Sequence, residues 1–217
     1  TLYGRNALGG VVNIYTLSPF EYQGTKLSVT GGNYGLLQAQ ASYYDKLSNK
    51  TGLSLSGYYH HRNGFFTNTF TGKDADWKTS AGGRAKFDWH ILPSLRAQYI
   101  INYDFVNQNA FPYGLYDATT KSTAEPNFND KSSYLRDMLT NSLLFEFQND
   151  KIQLTSTTSY QYFSDEMNMD QDFTPLSYFS LEQLQKQHAI NEEITLKSRT
   201  EGNYQWSFGV TGFYQKL

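Results

Sequence analysis

Four small sets of residues in this 217-residue chain have types and spacings that could do chemistry. Gly4 and Gly9 stand at the spacing of a phosphate loop, whose following Lys-Ser/Thr pair touches phosphate and metal. Gly10 and Val11 occupy those two places here, no strand precedes them, and nucleotide binding is not expected. Glu166, Asn168, Asp170 and Asp172 offer oxygen at every second position, as a calcium loop does. Gln171 stands where such a loop needs glycine, and no terminal bidentate glutamate follows, so a solvated loop is the plainer reading. His60, His61, His90 and His188 occur without a metal-binding spacing, and no nucleophile has a base beside it. No catalytic residue, no metal site, no cofactor and no enzyme activity are therefore expected. The last set is Asn109, Phe111, Tyr113 and Tyr116 in "NAFPYGLYD". Aromatic anchors on a polar loop suit recognition of a bulky, partly aromatic ligand. The plain alternative is that the rings pack the loop against its neighbours.

Composition bounds what else the chain can be. The formal net charge of −2 gives no pull towards nucleic acid. The absence of cysteine removes disulfides, thiolate nucleophiles and thiolate metal sites. Tyr (18) and Phe (15) are abundant, which suits strands and water–lipid boundaries. No apolar run approaches the ~20 residues of a membrane helix. A mean hydropathy of −0.59 does not exclude a membrane barrel, whose strands are apolar on one face only.

Stepping along the chain from Thr25, the dominant period is two. "LLQAQASYY" sets Leu37, Ala39, Ala41 and Tyr43 against Gln38, Gln40 and Ser42. "LRAQYIINYDF" sets Leu95, Ala97, Tyr99, Ile101, Tyr103 and Phe105 against Arg96, Gln98, Asn102 and Asp104. Later segments at roughly 138–148, 151–163, 188–199 and 204–216 follow suit, with Asn141 and Glu192 as exceptions on the apolar side. The segments run about ten to thirteen residues, closer to membrane strands than to globular ones. Short turns such as "DKLSNK", "LPS" and "ND" alternate with long connections over 62–78, 106–137 and 164–187, so the long loops share one end; the short link at "GNYG" is the exception. Apolar-side aromatics gather near both ends of the strands, among them Tyr43, Trp89 and Trp206 by the short turns, and Tyr59, Tyr103 and Tyr214 by the long loops. The wet side carries Lys26, Arg84, Lys86, Asp88, Arg96, Asp104, Glu146 and Lys197, as a hydrated lumen or its stopper would require. The expected fold is all-β: an antiparallel transmembrane meander of about nine strands, part of a barrel. A soluble β-sandwich also alternates, with its greasy face inside.

The opening stretch then gains a context. Leu2-Tyr3-Gly4-Arg5-Asn6-Ala7, with Gly9-Gly10-Val11-Val12-Asn13-Ile14 and Thr16, resembles the end of the plug domain in TonB-dependent outer-membrane receptors. "NEEITLKS" followed by "WSFGVTGFY" resembles that family's paired barrel strands more loosely. The resemblance implies residues 1–20 as the C-terminal end of a plug and 21–217 as the first part of the barrel, with more strands to follow. It implies a structural or gating role for the plug motif Tyr3, Gly4, Arg5, Asn6, Gly9, Gly10 and Asn13. It further implies residence in the bacterial outer membrane among its lipid and active uptake of a scarce large solute, often an iron–siderophore complex. The implied partner is TonB with its inner-membrane energising complex. A passive porin or adhesin barrel, and a soluble carbohydrate-binding module, are the alternatives from other classes.

Overall fold

A computed structural model describes residues 16–200 and 204–217. The plug motif from Tyr3 to Asn13 lies outside the described residues. In chain order the strands are β1 (Gly24–Gly32), β2 (Leu36–Asp45), β3 (Thr51–Arg62), β4 (Thr67–Asn68), β5 (Lys73–Asp74), β6 (Lys78–Leu92) and β7 (Leu95–Asn109). They continue as β8 (Tyr116–Asp117), β9 (Ser122–Thr123), β10 (Ser133–Gln148), β11 (Ile152–Asp170), β12 (Ser180–Ser198) and β13 (Ser207–Lys216). Nine of them form one antiparallel sheet in the order β1-β2-β3-β6-β7-β10-β11-β12-β13. The other four make two small hairpins, β4–β5 and β8–β9, inside the long loops. No helix and no second, facing sheet occurs among the described residues, so the sandwich reading falls away.

The register explains why alternation was the governing signal. Opposed residues of an antiparallel pair share a face. Leu53 lies opposite Phe87, Phe87 opposite Tyr99, and Tyr99 opposite Leu143, which makes one apolar row across four strands. A row on the other face runs Ser56, Arg84, Asn102, Thr140, Gln161. A one-residue slip in any strand would exchange the faces, so the pattern fixes the register. The apolar face stays uncovered: Leu27 is 77% exposed and Val29 75%. Buried apolar side chains are few and, apart from Phe128 in the second long loop, small, such as Ala97 and Ala189. An oily outer surface over a wet inner one is the arrangement of a membrane barrel wall.

Two boundaries differ from the sequence expectation. β11 and β12 each run 19 residues, well beyond the expected limits near 163 and 188. Ser164 to Asp170 pair in register with Lys186 to Ser180, so the ladder continues past the oily belt. Polar side chains fall on both faces there, Ser164, Glu166 and Asn168 on one and Asp165 and Gln183 on the other, which blurs the alternation while the backbone bonds persist. β7 likewise reaches Asn109 and β10 starts at Ser133, shrinking the expected 106–137 connection to residues 110–132.

Candidate functional site

The wet wall carries its densest charge near the short-turn end. β6 and β7 place Lys86, Asp88, Arg96 and Gln98 side by side, since Asp88 lies opposite Gln98 and His90 opposite Arg96. The Asp88 carboxylate is fully buried. It accepts from Arg96 Nη2 at 2.7 Å and Gln98 Nε2 at 2.6 Å, and Lys86 Nζ stands 3.5 Å away. Lys86 then reaches across the wall to the start of the described chain. Its ammonium donates to the Leu17 carbonyl at 2.9 Å and the Thr16 hydroxyl at 3.2 Å.

That contact begins a longer seam. Pro19 is fully buried, and the absence of a side chain at Gly52 makes room for it: a Cβ there would sit 2.6 Å from Pro19 Cγ. Phe20 stacks on His90 with ring centroids 4.3 Å apart, and Tyr22 meets Tyr44 edge-on at 5.4 Å. Residues 16–23 are thus held on the inner wall by one ammonium, one proline and two ring contacts. A hollow of 410 Å³ opens beside the seam, bordered by Lys50, His90, Arg96 and Glu146.

Halfway up the wall a second depression of 310 Å³ is framed by Gln40, Tyr58, Arg84, Asn102 and Asp104. The Tyr58 hydroxyl donates to Asp104 Oδ1 at 2.8 Å across the top of Gly82. A Cβ on Gly82 would meet Tyr58 Cε1 at 2.5 Å, so only glycine leaves that bond in place.

The long loops form the mouth, and they are tied to one another. Asn68 Nδ2 donates to the Phe128 carbonyl at 2.8 Å, and the Thr69 N–H to the Pro126 carbonyl at 2.8 Å. Asn129 Nδ2 donates to Ser177 Oγ at 2.7 Å, which joins the second loop to the third. Asp76 Oδ1 accepts the Phe65 and Phe66 N–H groups, and Arg62 lies over the Phe65 ring at 3.8 Å. Exposed rings crown this framework at Phe65, Phe66, Phe70, Tyr178 and Phe179.

The four sequence-predicted loop residues divide. Phe111, in the left-handed region at φ 59°, stands 6.3 Å from Tyr113, whose ring meets Phe173 edge-on at 5.2 Å. These rings form one aromatic group at the mouth. Asn109 ends β7, and its amide donates to the Asp74 carbonyl at 2.9 Å, where it fastens two loops together. Tyr116 sits apart on the β8–β9 hairpin, 64% exposed. The rings on the first and third loops were visible in "NGFFTNTF" and "SYFS", but loop proximity is a property of the sheet order, which brings segments 110 residues apart to one rim.

The carboxylates spaced like a calcium loop close turns instead. Asp170 is fully buried and accepts the Phe173 N–H at 2.8 Å and the Asp130 N–H at 3.0 Å. Asp172 takes the N–H groups of Thr174, Tyr178 and Phe179, and Glu166 pairs with Lys131 at 3.1 Å. The Thr174 hydroxyl and these N–H groups hold the Asp172 carboxyl below the usual carboxylate range. Among the described residues no three His, Asp or Glu side chains converge as a metal site.

No family model matches the sequence. Two solved structures share the architecture. The ferric yersiniabactin uptake receptor FyuA from Yersinia pestis matches 95% of this chain with a TM-score of 0.77 at 14% identity. The ferric-catecholate import receptor Fiu from E. coli, in its closed form, matches 98% with a TM-score of 0.72 at 13% identity. The chain spans about a third of each, 33% and 34% respectively. Its nine-stranded wall, oily outside and charged inside, has the fold of one portion of these iron-complex receptors.

Proposed function

We propose that the chain is part of a TonB-dependent outer-membrane receptor that takes up a scarce, large solute, an iron–siderophore complex foremost. Residues 1–20 are the end of its plug and residues 21–217 the first part of its barrel. The observation that carries this reading is the docking of Thr16–Gln23 onto the charged inner wall, directly after a stretch that resembles the plug terminus. A passive porin has no need of a chain segment fixed inside its lumen. The tied loops capture the ligand at the mouth through the exposed rings of Tyr113 and Tyr116 and the half-buried ring of Phe111 beside them. The plug blocks the lumen, and TonB with its inner-membrane complex supplies the pull that opens it.

The test is uptake of a panel of radiolabelled ferric siderophores by cells bearing the full-length chain and by a deletion strain. Transport of at least one complex, lost on deletion and abolished when the proton gradient is collapsed, supports the proposal. Uptake that survives collapse of the gradient means a passive barrel.

A further inference from the structure

Among the described residues, the outer face of the wall carries a polar island within its oily belt. Glu192 faces outward at mid-strand, in the row that runs from Leu143 through Thr158 to Gly212. The rows to either side hold Tyr160, Ile190 and Tyr214, and Phe145, Ile194 and Val210. Ile190, Ile194 and Val210 are 47%, 42% and 54% exposed, so the surrounding surface is the apolar one. The carboxylate is held rather than loose. Ser156 Oγ donates to its Oε1 at 2.8 Å, and Thr158 Oγ1 donates to its Oε2. Two strands from Glu192, on β10, Asn141 breaks the belt too, and accepts the Tyr99 hydroxyl at 2.9 Å.

Hydrocarbon penalises such a group severely, and ionisable side chains at membrane depth are found facing protein or water instead. The two hydroxyls each satisfy one oxygen and leave its other lone pair open. We infer that the β10–β13 face is a lateral docking surface for a second membrane protein that presents a lysine or arginine at mid-depth to Glu192. The inference rests on the outer-membrane reading above. The charge of the island decides the occupant. Lipid tails offer no donor, and the same wall of a second copy would bring Glu192 against Glu192. The cations on this face, Lys186 and Lys216, stand nearer the long-loop end, opposite Ser164 and His188.

The experiment uses the full-length chain in intact outer membranes, with a photoreactive phenylalanine analogue at Ile194 or Val210 and, as control, at Leu55 on the same oily face but on the distant strand β3. The expected result is one protein adduct of discrete mass from positions 194 and 210 and none from 55, with a lysine or arginine in the cross-linked region of the partner. Glu192→Lys lowers that adduct roughly tenfold or more, as loss of a desolvated charge pair should. Glu192→Gln, which keeps an acceptor for Ser156 and Thr158 and so protects folding, lowers it as well. Adducts to lipid alone, or a protein adduct indifferent to both substitutions, overturn the proposal. A cysteine at Leu55 separates the two readings, and these 217 residues add no other cysteine to compete with it. If it reacts with a water-soluble maleimide as fast as a cysteine at Tyr116, the membrane reading falls and this one with it. If it is protected while position 194 finds only lipid, the docking proposal alone fails.

Discussion

Single residues set how firmly the inner seam is held. Asp88 has no exposed surface and is surrounded by Arg96, Gln98 and Lys86, so deleting its carboxylate strands the half-buried guanidinium and the buried ammonium on the wall. Asp88→Ala is expected to cost about 3–5 kcal/mol, the usual effect of breaking a buried pair from one side. Urea unfolding of the full-length protein in detergent micelles checks it. Asp172 makes a pH prediction. Its carboxyl titrates below its ordinary value because it accepts from Thr174, Tyr178 and Phe179, so its contribution is complete above the unfolded pKa and lost as pH falls through the folded one. Hydrogen-exchange protection at Tyr178 and Phe179 should stay level from pH 7 to pH 5 and collapse below about pH 4. At this scale the sequence disclosed that Lys86, Asp88 and Arg96 share the wet side. It could not disclose that Lys86 serves a carbonyl 69 residues earlier, because a backbone acceptor leaves no trace in residue type.

Whole strands were the most legible level. Period-two alternation gave the two faces from Leu27 to Val210, and the contrast of short turns with long loops told the two ends apart. The two exceptions noticed in the pattern, Asn141 and Glu192, are real outward polar positions, each bonded to a neighbour on the same face. Strand ends were misjudged where polar side chains enter both faces, as in β11 and β12, since alternation blurs while the ladder persists. Element packing also makes a prediction about the seam. A branched side chain at Gly52 would collide with Pro19, so Gly52→Val should lift residues 16–23 off the wall without disturbing the ladder of β3. A cysteine at Leu17 would then label about tenfold faster in the variant, equivalent to an opening easier by about 1.4 kcal/mol. Unchanged labelling would mean the segment is held by Lys86 and the rings of Phe20 and Tyr22 without help from Pro19.

The whole molecule is a wall one sheet thick. Its outward leucines, valines and aromatics are solvent-exposed wherever lipid is not, and β1 and β13 each have a single strand neighbour among the described residues. The 217-residue chain expressed by itself should therefore aggregate in plain buffer and become dispersed only in detergent or lipid. Light scattering that finds a detergent-free monomer would refute both the membrane reading and the orientation of the faces.

The β8–β9 hairpin offers something different. Its base is closed by the Ala124 N–H on the Leu115 carbonyl at 2.9 Å, and its tip, from Asp117 to Ser122, is exposed on every side. Foreign sequence spliced into that tip should be displayed to the surroundings while the wall beneath keeps its register, which makes it a natural place for an epitope or a fluorescent reporter.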